Sequence, residues 1–87
     1  MYIIVVYDEG DIKAQSRIRN MLRMYLQHVQ LSVFEGEVSP SQLTEIKLKL
    51  NSMIKDGGAI VYVTHTDKAV KRYIIGKSKD ISKSNII

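Results

Sequence analysis

The stretch MYIIVVYD, residues 1–8, decides the fold of this chain. Residues 2–7 are all β-branched or aromatic and carry no charge, which is typical of a strand that is buried on both faces at the centre of a sheet. The run stops at Asp8, shortly before a helical pattern begins. Proteins with α/β folds often place chemistry at the carboxyl end of a central strand. The alternative is that Asp8 or Asp11 only caps the coming helix.

Length and composition predict one small domain. The chain has 87 residues, of which 45% are hydrophobic, so its core is thin and a homodimer that shares its core is expected. The absence of cysteine excludes disulfides, thiol catalysis and a cysteine zinc site. No apolar run approaches the roughly 18 residues of a membrane span, and the first strand lacks the basic flank of a signal peptide. We therefore expect a soluble, cytoplasmic protein that has no membrane partner.

The net charge of +4 is concentrated in two segments. Residues 12–34 carry Lys13, Arg17, Arg19 and Arg23 and no acid, and residues 68–87 carry six basic residues against one aspartate. Such segments suggest a polyanion-binding surface, although a solubilising coat would have the same composition. Guanidinium groups pair well with phosphate oxygens, so the three arginines are candidate nucleic-acid-binding residues.

The order of the predicted elements indicates the fold class. After the first strand, the pattern predicts a helix over 12–27, followed over 29–38 by two hairpin strands or by one strand bent at Gly36. A second helix begins at Ser39-Pro40-Ser41-Gln42 and ends at Gly57-Gly58. A central strand over 59–63 and a weaker strand over 72–75 complete the order. This order predicts an α+β ferredoxin-like sandwich over 1–76, with a four-stranded antiparallel sheet, both helices on one face and a short C-terminal strand. Residues 77–87 form a basic tail.

Three common catalytic motifs are absent and no local pattern supports serine–histidine catalysis, so the carboxylates at and after the end of the first strand remain as candidates. The sequence has no glycine-rich phosphate loop, no GxSxG and no HExxH, and its two histidines lie far apart. Asp8, with Glu9 and Asp11 nearby, suits a hard cation such as Mg²⁺ or Mn²⁺, a common arrangement for cleaving phosphodiesters. One carboxylate binds such a cation weakly, so a two-fold dimer would have to bring two Asp8 side chains together.

Three features together resemble the CRISPR-associated protein 2 family over residues 1 to about 76. They are the strand that ends in Tyr7-Asp8, the arginine-bearing helix, and VQLSVFEGEV at residues 29–38. IIG at residues 74–76 is also similar to the family's last strand. The resemblance implies a ferredoxin-like homodimer in which each last strand joins the partner's sheet. It implies that Asp8 is the metal ligand at the dimer axis, and that Arg17 and Arg19 match the family's helix arginines.

The resemblance also implies two functions within CRISPR spacer acquisition in antiviral defence. One is a metal-dependent endonuclease acting on single-stranded RNA or duplex DNA, with Asp8 as catalytic residue and Mg²⁺ (or Mn²⁺) as cofactor. The other is a DNA-binding bridge without that activity, bound to the integrase subunit. Tyr7 and Phe34 are expected beside the site, although a lone phenylalanine at strand spacing is by default a core residue.

Two further functions stay open on the sequence alone. A non-catalytic RNA-recognition domain would need exposed aromatic residues on its central strands; the first strand offers Tyr2 and Tyr7, but the Lys/Arg-Gly-Phe pattern is absent. A stand-alone RNA-cleaving toxin on the same fold would have the same residues as the adaptation subunit.

Overall fold

The computed structural model describes residues 1–77 of the chain. The elements follow in the order β1 (Tyr2–Glu9), α1 (Ile12–Arg23), β2 (Gln27–Gln30), β3 (Val33–Glu37), α2 (Pro40–Met53), β4 (Gly57–Thr64) and a short 3₁₀ helix (Asp67–Ala69). This order confirms the predicted β-α-β-β-α-β arrangement. The predicted tail over 77–87 lies, apart from Lys77, outside the described residues, so the division into domain and tail stays a prediction.

A four-stranded sheet in the order β2-β3-β1-β4 forms the scaffold, and its neighbouring strands are antiparallel. β1 lies inside the sheet, as predicted. Within residues 1–77, β4 pairs only with β1 and forms an edge, so the prediction that 59–63 is a central strand is wrong for this part of the single chain. The uncharged run in β4 is explained by its position beside β1. Its side chains are mostly exposed in one chain.

Both helices pack on one face of the sheet, which we call the helix face; the opposite side is the open face. The core of the helix face is formed by Ile3, Val5, Tyr7, Ile18, Met21, Leu22, Leu26, Phe34, Val38, Ile46 and Leu50. The prediction that β1 is buried on both faces is wrong for one chain. Its residues alternate between buried positions on the helix face and half-buried or exposed positions on the open face.

Helix boundaries show which sequence signals are local. Ser39 caps α2, Pro40 occupies its first turn and Gln42 completes the capping box, as predicted. α1 ends at Arg23 instead of Gln27, because Gln27 already pairs with Glu35 in the β2–β3 ladder. Of the two alternatives for 29–38, the hairpin forms, with strands at Gln27–Gln30 and Val33–Glu37 and its turn at Leu31 and Ser32. The alternative of one strand bent at Gly36 is wrong, because Gly36 lies within β3.

Gly57 and Gly58 do not terminate α2 as predicted. The helix ends at Met53, with Ile54 in an extended conformation as its C-cap, and both glycines lie in β4. A Cβ atom on Gly57 would lie 1.8 Å from the carbonyl oxygen of Asp8. Gly57 is therefore required by the close approach of β1, since no other residue lacks a Cβ atom.

The predicted strand over 72–75 does not form within one chain. Only Ile74 takes part in a single β-bridge, and its side chain is buried. Gln30 donates its side-chain amide to the carbonyl oxygens of Ile75 (3.1 Å) and Lys77 (2.6 Å), and Arg72 forms an ion pair with Glu35. Pairing of this segment with a partner's sheet stays a prediction. Within residues 1–77, no helix has both the length and the apolar character needed to cross a membrane.

Candidate functional site

Asp8 is an exposed carboxylate at the carboxyl end of β1. It lies opposite Gly58 of β4, and strand alternation places its side chain on the open face, together with Ile4 and Val6. Next to it is a shallow, largely apolar cleft of about 360 Å³, whose lining includes Val6, Ala59 and Ile60. The side-chain oxygens of Asp8 accept no hydrogen bond within residues 1–77, so they are available to a ligand.

The Glu9 side chain lies on the helix face, opposite to that of Asp8, and its carboxylate already accepts hydrogen bonds from the backbone. Its side chain is 4% exposed, and it accepts hydrogen bonds from the backbone N–H groups of Asp11 (3.0 Å), Lys55 (2.8 Å) and Asp56 (2.8 Å). These bonds, led by the one from Asp11, lower the pKa of Glu9 below its ordinary value. Glu9 therefore ties the end of β1 to the loop between α2 and β4 and cannot share a cation with Asp8.

Asp11 is the helix cap. Its Oδ2 atom accepts a hydrogen bond of 2.9 Å from the backbone N–H of Ala14, and it precedes the first residue of α1. The two alternatives left by the sequence are thus resolved: Asp11 caps α1, and Asp8 does not. Of the three acids Asp8, Glu9 and Asp11, only Asp8 has a carboxylate without a hydrogen-bond partner in the described residues.

A metal ion would find one carboxylate per chain at this position. No group of three or more histidine, aspartate or glutamate side chains close enough to hold a metal occurs within residues 1–77. A single carboxylate binds Mg²⁺ weakly, since such sites usually use one or two carboxylates together with waters and substrate phosphates. The exposed Asp8 fits the cation only when substrate or a second subunit supplies further oxygen ligands.

Tyr7 and Phe34, which were expected beside Asp8, lie on the helix face. Their rings are 6.2 Å apart, and both side chains are buried in the main core. His28 stacks on Phe34 at 4.3 Å with an interplanar angle of 8°. The sheet therefore separates these rings from the Asp8 carboxylate, because neighbouring residues of a strand point to opposite faces.

The three arginines of α1 divide into two groups. Arg19 and Arg23 line a second cleft together with Tyr7 and His28. Arg17 is exposed and does not line that cleft, because two residues along a helix turn the side chain to a different side. The structure thus brings together Arg19 and Arg23 but neither Arg17 nor Asp8.

Sequence reasoning missed a buried polar cluster on the open face, formed by Tyr2, Glu35 and Arg72. Glu35 is 3% exposed; it accepts a hydrogen bond from the Tyr2 hydroxyl and one from the Arg72 guanidinium. Burial and the bond to Glu35 raise the pKa of Tyr2 to about 12. The available signal was Glu35 inside an otherwise apolar strand pattern, because a carboxylate at such a position needs a cationic partner.

Comparison with known proteins gives consistent results. A model of the family described as CRISPR associated protein Cas2 matches residues 1–73. The CRISPR-associated endoribonuclease Cas2 of Nanoarchaeum equitans is 43% identical over 83 residues, which are 93% of this chain and 90% of the relative. The CRISPR-associated endoribonuclease Cas2 2 of Archaeoglobus fulgidus is 34% identical over 89 residues, which are 100% of this chain and 96% of the relative.

A solved structure agrees with the sequence relatives. A crystal structure of cas2 superposes with a TM-score of 0.82 at 34% identity and covers 95% of this chain and 94% of its own. The family match over residues 1–73 includes β1 with Asp8, the arginine-bearing α1 and the β2–β3 hairpin, the three features on which the resemblance was based. The chain belongs to the CRISPR-associated protein Cas2 family.

Proposed function

We propose that this protein is an endoribonuclease of a CRISPR system that hydrolyses RNA phosphodiesters with Asp8 as its catalytic residue. The observation that carries the proposal is the exposed, uncommitted carboxylate of Asp8 at the end of β1, beside two acids whose oxygens are occupied by backbone N–H groups. The names of the relatives support the reaction, since both are endoribonucleases. The proposed setting is the cytoplasm.

The active form in this proposal is a homodimer that places two Asp8 side chains near one axis. The open face supports this, because Ile60 and Tyr62 are exposed there although they are large and apolar or aromatic. Contiguous exposed apolar surface marks interaction sites. A second subunit would add the carboxylate that one chain lacks.

Mg²⁺ (or Mn²⁺) would be held by Asp8 and would supply charge for the phosphate and a water of lowered pKa. Around it, this chain's own residues shape the surroundings of the substrate. The apolar side chains of Val6, Ala59 and Ile60 lie beside Asp8 and would limit the water that reaches the carboxylate once a second subunit covers the open face. An interaction between Asp8 and a cation is stronger where fewer waters compete.

A second candidate is a non-catalytic bridge in spacer acquisition, which binds duplex DNA and the integrase subunit. It is favoured by the separation of the cationic groups from Asp8: Arg19 and Arg23 line a cleft with Tyr7, whose ring lies on the helix face. Nucleic acid held by these arginines would not pass over Asp8 of the same chain. Binding would then proceed without cleavage.

Cleavage assays on the wild type, Asp8→Asn and Asp11→Asn test the first candidate. Each variant removes one negative charge, and asparagine caps a helix almost as well as aspartate, so Asp11→Asn is a matched control. We expect Asp8→Asn to abolish cleavage of single-stranded RNA in Mg²⁺ or Mn²⁺, Asp11→Asn to retain it, and a chelator to stop it in both active proteins.

Two results would contradict the catalytic proposal. Full activity of Asp8→Asn would show that this carboxylate is not needed. Absence of cleavage of RNA and duplex DNA by the wild type, with retained DNA binding, would favour the bridging function. The fold of each variant is checked by circular dichroism, so that loss of activity is not confused with loss of structure.

A further inference from the structure

A polar cleft of about 360 Å³ lies beside α1, on the helix side of the sheet. We call this cavity the α1 cleft. Its polar lining consists of Tyr7, Gln15, Arg19, Arg23, His28 and Ser32. The volume is at the lower end of the roughly 300–1,000 Å³ that is usual for small-molecule sites. No acid lines the cleft among the residues that the structure describes.

The two arginines of the α1 cleft lack the anion that normally accompanies such a pair. They are one helical turn apart, a spacing at which like charges destabilise a helix. Neither forms an ion pair within residues 1–77, where Glu35 and Glu37 are the acids that do. Arg19 contacts the hydroxyl of Ser16 at 3.3 Å. An anion bound between the guanidinium groups would relieve their repulsion.

His28 positions Arg23 at the cleft wall. The Nε2 atom of His28 lies 2.5 Å from the carbonyl oxygen of Leu31, and a carbonyl can only accept, so this nitrogen must donate. In the neutral ring the Nδ1 atom is then an acceptor, and it lies 3.4 Å from Nη2 of Arg23. His28 is 3% exposed and stacked on Phe34, so Arg23 is oriented by a rigid, buried group.

Tyr7 contributes a donor that the fold does not use. Its side chain as a whole is 6% exposed, but the hydroxyl oxygen is not among the fully buried atoms without a partner, and it forms no hydrogen bond within residues 1–77. The hydroxyl is therefore available at the cleft surface. Because Tyr7 lines the α1 cleft, an oxygen atom bound there is the natural acceptor.

We propose that the α1 cleft binds a phosphate monoester, with Arg19 and Arg23 pairing its charged oxygens and the Tyr7 hydroxyl donating to one of them. Two guanidinium groups match the double charge that a monoester approaches at neutral pH, whereas the diester of a continuous strand has a single charge. The monoester is either that of a mononucleotide or the terminal phosphate of a nucleic-acid strand. The site does not include Asp8, and its occupation does not require cleavage.

Calorimetric titration at constant ionic strength tests the proposal with inorganic phosphate, adenosine monophosphate and short oligonucleotides that differ only in a 5′-phosphate or 5′-hydroxyl. We expect the wild type to bind the phosphorylated oligonucleotide more tightly than the hydroxyl form. Equal affinity for the mononucleotide and the phosphorylated strand would assign the site to small molecules. Tighter binding of the phosphorylated strand than of the mononucleotide would assign the site to strand ends.

Three variants and one matched control locate the site. A lost charge-assisted hydrogen bond corresponds to about tenfold weaker binding or more, so Arg19→Gln and Arg23→Gln should each show this loss. Tyr7→Phe keeps the buried ring and should weaken binding roughly fivefold. Lys13→Gln removes one positive charge from the same helix at an exposed position outside the cleft, and it should leave the affinity nearly unchanged.

Either of two results would overturn the proposal. Equal losses for Lys13→Gln and Arg19→Gln would show diffuse attraction to a basic helix instead of a site. Identical affinities for the phosphorylated and hydroxyl oligonucleotides, with no binding of inorganic phosphate or the mononucleotide at millimolar concentration, would show that the cleft does not recognise a monoester. Because these measurements record binding, they are independent of the cleavage assays on Asp8.

Discussion

Asp8 and Glu9 are adjacent residues with opposite roles, because successive side chains of a strand point to opposite faces. Asp8 lies on the open face without a hydrogen-bond partner in the described chain. Glu9 is buried on the helix face, where its carboxylate receives N–H groups from Lys55 and Asp56. The exposed carboxylate is available for chemistry, and the buried one stabilises the loop that positions it.

The role of Glu9 predicts a pH-dependent stability. Its pKa is lower in the folded chain than the ordinary value of 4.5. The carboxylate therefore stabilises the fold at pH values above 4.5, and this contribution is lost as the pH falls through the folded-state pKa. Urea unfolding of Glu9→Gln should show the largest loss of unfolding free energy near neutral pH and a shrinking difference from the wild type in acid.

Glu45→Gln provides the control for Glu9, because Glu45 is an exposed carboxylate on α2. This variant should unfold nearly like the wild type at every pH. A constant difference between Glu9→Gln and the wild type from neutral to acid pH would show that the effect comes from packing and not from the charge.

The sequence indicates an acid at the end of the first strand, and the catalytic role of Asp8 stays a prediction; the hydrogen bonds made by its neighbour Glu9 could not be predicted. A carboxylate at the end of an apolar strand is visible as a pattern, and so is a cap such as Asp11. Two of the three backbone partners of Glu9, Lys55 and Asp56, are 46 and 47 residues away in sequence, so no local pattern indicates them. The same reason explains why the pairing of Tyr2 and Arg72 with Glu35 was missed.

At the scale of elements, the boundaries that depend on neighbouring residues were predicted correctly, and those that depend on contacts between distant residues were not. The capping box at Ser39 and Gln42 lies within four residues and was predicted correctly. The end of α1 was placed too late because the apolar pattern continues through Leu26, which packs in the core after the helix has ended. Which strand lies at the sheet edge depends on chain topology, and residue type does not indicate it.

Gly57 shows how an element is constrained by its neighbour. Gly57→Ala should destabilise the protein by about 1–3 kcal/mol, the usual cost of overpacking. The new Cβ atom would lie 1.8 Å from the carbonyl oxygen of Asp8, so the backbone would have to shift. A Cβ atom on Gly58 would have no other atom within 4 Å, so Gly58→Ala should change stability by at most about 0.5 kcal/mol. Chemical denaturation of both variants provides the measurement. Equal effects would show that β1 and β4 approach each other less closely than the structure shows.

At the scale of the whole molecule, the open face is incomplete in a single chain. Val6 lies opposite Ile60, and Ile4 lies opposite Tyr62, and these side chains share the open face beside Asp8. Ile60 and Tyr62 are 54% and 53% exposed. The apolar composition of both faces of β1, from which burial on both sides was predicted, is consistent with a second layer that one chain of this length does not provide.

A homodimer formed through the open face would supply that layer. Sedimentation at micromolar concentration should then give twice the chain mass of 9.9 kDa. Ile60→Lys places a charge in the apolar patch and should shift the protein towards the monomer, because burying an unpaired ammonium is costly. Leu48→Lys is the matched control, since Leu48 is exposed on α2, away from the open face. A wild-type monomer, or equal dissociation by both variants, would contradict the dimer, and two Asp8 side chains could then not share a cation.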